Sequence, residues 1–138
     1  MIKLYIGAKG SGKTKTLIEL VNNATESSKG SVVCIEKGDK LIHEVKHQAR
    51  LLNTDEYLVN NGTALYGFVA GNYGSNYDVS DIFIDSALKI CGNNVEEFAS
   101  FLDNVVAFTA THPVNFVITA SIAEADLPEK IFEFCNKL

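Results

Sequence analysis

Within eight positions the segment Gly7-Ala8-Lys9-Gly10-Ser11-Gly12-Lys13-Thr14 matches the pattern GxxxxGK[ST] in full. Those residue types at that spacing suit one task, the caging of a polyanion. Glycines let successive backbone N–H groups converge on a single anion, and a following helix adds the positive end of its dipole. Lys13 is then spaced to place its ammonium on β- and γ-phosphates, and Thr14 to offer a hydroxyl to Mg²⁺. The expected ligand is a nucleoside triphosphate with magnesium. The expected contacts are Gly7, Ala8, Lys9, Gly10, Ser11, Gly12, Lys13, Thr14 and Lys15.

A metal-bound triphosphate needs a carboxylate opposite the loop. The run Asp81-Ile82-Phe83-Ile84-Asp85 ends an apolar strand on Asp85, which is the candidate second magnesium ligand beside Thr14. Hydrolysis needs in addition a group that orients water. Ser86 follows Asp85, so no carboxylate stands there, and Glu36 at the end of the preceding strand is the candidate. Lys13 and Glu36 are therefore the expected catalytic pair. Thr119, with Ser121 two residues on, is a candidate polar sensor of the terminal phosphate. The chain has a single arginine, Arg50, and it and Lys37 are read as solvated surface charges.

A second motif competes. His43-Glu44-Val45-Lys46-His47 matches HExxH, which on a helix sets two imidazoles on one face around zinc. Lys46 would put a cation next to the metal, and only Asp55 and Glu56 follow closely as further ligands. A solvated face is the expected role.

The elements that must position these groups alternate along the chain. Met1 to Ile6 is an apolar run leading into the glycine loop, and Leu17, Leu20, Val21 and Ala24 recur at helical spacing after it. Ser31 to Ile35, Ile82 to Ile84 and Phe116 to Thr119 read as buried strands. Leu41, Val45, Ala49 and Leu52 suggest a helix, although Leu51-Leu52 also fits the end of a short strand. Leu65, Phe68, Val69 and Tyr73 mark a helix broken by the Gly- and Asn-rich segment 71–77. Asn94 with Glu97 forms a capping box for a helix carrying Val95, Phe98, Ala99, Leu102, Val105 and Val106. Asp126 with Glu129 caps a last helix with Leu127, Ile131, Cys135 and Leu138 on one face. This order predicts a single α/β domain over residues 1–138. It is a three-layer sandwich with a mainly parallel sheet of about five strands and helices on both faces. Ligands in such sheets sit at the carboxyl ends of the strands, where the glycine loop, Glu36, Asp85 and Thr119 all fall.

Composition narrows the function further. A net charge of −5 argues against binding nucleic acid through its phosphates. No stretch has the length of a membrane span and the first strand leaves no room for a signal peptide, so a cytoplasmic location is expected. Cys34, Cys91 and Cys135 form no CxxC pair and are expected to be reduced thiols.

The loop and the strand ending in Asp85 resemble those of P-loop NTPases. Over its whole length the chain is similar to a group of small bacterial ATP-binding proteins labelled as twitching-motility ATPases. That similarity rests on MIKLYIGAKGSGKTKTL, VVCIEKGDKL, NTDEY, DIFIDSALKI and DLPEKI. It implies that Gly7 to Thr14 bind the triphosphate and that Asp85 serves Mg²⁺. Glu36 stands where recombinase-like ATPases carry their water-orienting carboxylate. A pilus-retraction motor is not expected, because the loop opens at residue 7 and the motor's acidic and histidine boxes are missing. There is no NKxD signature for guanine, so ATP is the expected nucleotide. The sequence thus predicts Mg·ATP binding with slow hydrolysis, stimulated by self-association or by a protein partner that supplies a cation. The alternatives are a non-catalytic nucleotide-dependent switch and a phosphotransferase.

Overall fold

Alternation of buried side chains between two faces builds the core. In β4 (Val79–Ile84), Ile82 and Ile84 pack to one side of the sheet and Phe83 to the other. Val33 and Ile35 against Val32 and Cys34 do the same in β2 (Ser31–Glu36), as do Phe116 and Ile118 against Val117 in β5 (Asn115–Ala120). Strands apolar on both faces need cover on both, and helices supply it.

The computed structural model describes residues 1–137. It is an α/β fold with an open six-stranded sheet in the order β3-β2-β4-β5-β1-β6. Strand β1 (Ile2–Ile6) lies between β5 and the edge strand β6 (Cys135–Lys137), and β3 (Ala49–Asn53) forms the far edge. Every neighbouring pair runs parallel, so all six carboxyl ends meet along one edge. Helix α1 (Lys13–Ser27) buries Leu17, Val21 and Ala24 against one face. On the other face lie α2 (Gly62–Ser75), the short α3 (Ala87–Ile90) and α4 (Val95–Thr109), whose Phe98 and Phe101 are fully buried. No helix among the described residues is long and apolar enough to cross a membrane.

Several expectations need correction. The sheet has six strands rather than about five: beyond the four read plainly from sequence, β3 forms where Leu51-Leu52 fits the end of a short strand, and β6 adds the opposite edge. Residues 38–48 form turns instead of a helix, and the chain then enters β3, so Leu52 packs as a strand residue. The segment 71–75 does not break α2. Tyr73 sets its ring edge-on to Phe108 at 5.5 Å and to His112 at 5.1 Å. That packing outweighs the roughly 1 kcal/mol that each glycine costs a helix. The last expected helix is also absent. Glu124–Asp126 and Glu129–Glu133 are 3₁₀ turns that lead into β6, where Cys135 pairs in register with Ile2. Its apolar residues still face the core, with Leu127, Ile131 and Cys135 all buried, while Leu138 lies outside the described residues. The capping box before α4 forms by half. Asn94 Oδ1 accepts from the Glu97 N–H at 3.0 Å, but the Glu97 carboxylate turns away to accept from the N–H of Gly62 at 3.3 Å.

The three cysteines are free and buried. Burial raises all three thiols, Cys91 to about 12 and Cys135 to about 11, which makes them poor nucleophiles.

Candidate functional site

The glycine loop leaves β1 at Gly7 and turns into α1 through two left-handed residues, Gly10 at φ 83° and Gly12 at φ 90°. A Cβ on either would meet nothing within 4 Å, so glycine is needed there for its backbone conformation and not for space. Helix α1 starts directly after Gly12 with no side-chain cap and no acid in its first turn. The other two long helices are capped, α2 by Asn61 and α4 by Asn94. The amides opening α1 therefore remain available to an anion. Lys13 curls back into the loop, its ammonium donating to the Ala8 carbonyl at 2.7 Å, to Ser11 Oγ at 3.2 Å and to the Gly7 carbonyl at 3.3 Å.

Opposite the loop stands Asp85, directly after β4. Thr14 Oγ1 donates to its Oδ1 at 3.0 Å and approaches Oδ2 at 3.3 Å. Thr119, one residue before the end of β5, donates to the same Oδ1 at 2.9 Å and accepts from the Ser86 N–H at 2.8 Å. Because β5 lies between β1 and β4, Thr119 bridges the two strands that carry the loop and the acid. Both hydrogen-bonding functions of its hydroxyl are engaged and the residue is buried, so it orients Asp85. A direct sensor of the terminal phosphate, as expected from sequence, would have to give up these bonds. Ser86 adopts a left-handed conformation at φ 55°, which turns the chain sharply from Asp85 into α3.

Glu36 ends β2, the next strand out, and only 3% of it is exposed. Its two carboxylate oxygens accept from the backbone N–H groups of Lys40 at 3.2 Å and Leu41 at 3.1 Å. Those bonds fasten the turn that follows. Leu41 and Val45 then drop into the core beside Leu17 and Val21, and Asn22 of α1 holds the segment from outside through the Lys46 N–H and the Glu44 carbonyl. Burial holds the Glu36 carboxyl above its ordinary value, opposed by the two amide bonds and supported by the nearby Asp85 and Asp39.

Between these walls lies a cavity of about 620 Å³. Lys9, Lys13, Lys15, Lys37, Lys40 and Lys89 line it, against the carboxylates of Glu36 and Asp85 alone. A protein of net charge −5 thus gathers six cations around one hollow, a field that draws in anions. Ser121 borders this cavity and also a more apolar one of about 520 Å³, lined by Ile6, Gly7, Ala8, Ile122, Ala123 and Glu124.

Lys9, Gly10, Gly12, Lys13, Thr14, Lys15, Glu36, Asp85 and Thr119 all come together here, while Gly7 and Ala8 face the neighbouring hollow. Arg50 does not join them. Sequence reasoning missed Lys40 and Lys89, although a signal was present: each lies four residues beyond a strand-end acid, Glu36 and Asp85 respectively. The HExxH segment sits in turns, not on a helix, and no group of three or more His, Cys, Asp or Glu among the described residues is placed to hold a metal. No family model matches the chain, and no curated protein resembles it significantly.

Two outcomes are expected from this geometry. Thr119→Val should lower the unfolding free energy in urea by about 1–3 kcal/mol, since the part-buried Ser86 N–H loses its acceptor and the buried Asp85 a donor. Thr119→Ser should restore most of it; an unchanged midpoint for the valine variant would contradict the bridging role. Glu36 sets a pH dependence. Its raised folded value means the native state binds the proton more tightly than the unfolded chain. Its contribution is therefore fully favourable below the ordinary value of 4.5 and is lost as pH rises through the higher folded value. Unfolding curves across that range should show this downward slope in the native protein and not in Glu36→Gln.

Proposed function

We propose that this protein binds Mg·ATP at the carboxyl edge of its sheet and hydrolyses it slowly. One observation carries the reading. The hydroxyl that follows the loop lysine meets the strand-end carboxylate, Thr14 to Asp85 at 3.0 Å, beneath an uncapped helix start and a lysine-lined cavity. The loop amides and Lys13 would cradle the phosphates, with Lys13 exchanging its loop carbonyls for phosphate oxygens. The smaller, more apolar hollow beside the loop offers the kind of surface a purine base needs.

The donor set fits magnesium, which favours hard oxygens and is held by one or two protein groups together with substrate phosphates. Thr14 and Asp85 would hold it. When bound, the ion would neutralise charge on the β- and γ-oxygens. Thr119 keeps Asp85 oriented for that role. Glu36 lines the same cavity, and a carboxylate has about four lone-pair sites, of which its two amide bonds occupy two. The remaining capacity lets it accept a proton from water. The water oxygen bonds to the γ-phosphorus as the bond from that phosphorus to the bridging oxygen breaks. The electron pair leaves with ADP, and the proton passes through Glu36 to solvent.

The amide bonds of Glu36 favour a second reading, a nucleotide-dependent switch without useful catalysis. A carboxylate built to hold the 37–47 segment needs no role in chemistry, and nucleotide arriving beside it would be felt by that segment.

Phosphate release separates the two. Purified protein with Mg·ATP should liberate phosphate, and Lys13→Ala should abolish both release and the thermal shift caused by nucleotide. Glu36→Gln should lose release while keeping the shift. Native protein that stabilises with ATP yet releases no more phosphate than Lys13→Ala would leave the switch as the surviving reading.

A further inference from the structure

Charge that develops on a transferred phosphoryl group is commonly met by an arginine, from the same chain or from a partner. This chain has one arginine, and it is misplaced. Arg50 is exposed on the edge strand β3, three residues before Asn53 at the strand's end, and so about 10 Å below the edge where the cavity opens.

The lysines around the cavity are not equivalent. Lys13 is bound within the loop, and Lys37 pairs with Asp55 at 2.6 Å. Lys9 and Lys15 belong to the loop and the first turn of α1. Lys40 and Lys89 come from the other side, beyond β2 and β4, the strands that end in Glu36 and lead into Asp85. Neither ammonium has an ion-pair or hydrogen-bond partner among the described residues. Their backbones are nonetheless fixed. The Lys40 N–H is bonded to Glu36, and Lys89 sits in α3, which the left-handed turn at Ser86 aims past Asp85. Two anchored main chains thus deliver two unengaged cations to the wall facing the phosphate loop.

We infer that Lys40 and Lys89 are the cations that meet the terminal phosphoryl group, supplied by this chain itself, so that hydrolysis needs no partner's arginine. The inference rests on the ATP-hydrolysing reading above. A lysine stands four residues beyond each strand-end acid, Lys40 after Glu36 and Lys89 after Asp85, on the same cavity wall.

The test uses the intact chain, Lys40→Ala, Lys89→Ala, the double variant and the double arginine variant. Two readouts are taken: single-turnover phosphate release at saturating Mg·ATP, and the thermal shift with ADP against ADP plus aluminium fluoride, a mimic of the transferred group. The double alanine variant should lose about a hundredfold or more in release, the scale seen when a charge-stabilising donor is removed. It should keep the shift with ADP alone and lose the extra shift from aluminium fluoride, and arginine at both positions should recover much of each. Release within threefold of the native rate, with the aluminium fluoride increment intact, would overturn the inference and leave the ATPase reading standing. A native protein that shifts with ADP but gains nothing from aluminium fluoride overturns it as well. A native protein that responds to no nucleotide removes the functional reading and this inference together.

Discussion

Three hydroxyl-to-carboxylate contacts tie the edge of the sheet together. Thr14, Thr119 and Ser86 all turn their oxygens on Asp85, which is itself hung from the Ile35 carbonyl of the neighbouring strand through its own N–H at 2.9 Å. The strands involved are β1, β5, β4 and β2 in spatial order, so one residue, through its carboxylate and its amide, registers four consecutive strand ends. A buried carboxylate is tolerable only when such donors surround it. The same donors set the spacing between the glycine loop and the opposite wall. Parallel pairing makes this possible, because it brings every carboxyl end to the same edge.

Electrostatics follow from that arrangement. Two acids, Glu36 and Asp85, lie on neighbouring strands in a partly desolvated site, where burial first and the nearby Asp85 charge second make Glu36 harder to ionise. The six lysines that rim the cavity offset this and leave an excess of positive charge facing inward. Surface acids elsewhere bring the whole chain to −5. A net charge therefore says little about what a hollow attracts; the local field decides.

Much of this could be read from residue order. The glycine loop, the strand ending at Asp85, the amphipathic first helix and Glu36 at a strand end each carry a local signal, and the structure brings them to one edge. What failed was decided by long-range packing. Residues 41–52 carry a helical period, yet Glu36 and Asn22 capture the backbone of 40–46 and Leu51 pairs with Cys34 in a parallel ladder. The chain after Asp126 has helical spacing too, but Cys135 finds its partner in Ile2, more than a hundred residues away in sequence. Tyr73 keeps a glycine-rich helix intact through rings that only the fold brings near. Thr119 was legible as a strand-end hydroxyl, whereas its commitment to Asp85 depends on β5 lying between β1 and β4, which no local pattern reveals.

The proposed function requires Thr14 and Asp85 to open and admit a metal-bound polyphosphate. Calorimetric titration of ATP into the purified chain, with magnesium and with a chelator in its place, measures this directly. One site per chain, bound markedly more tightly with magnesium, and a loss of that magnesium increment in Asp85→Asn, is the expected result. Absence of binding heat under both conditions, across the temperatures at which the fold is intact, would contradict it.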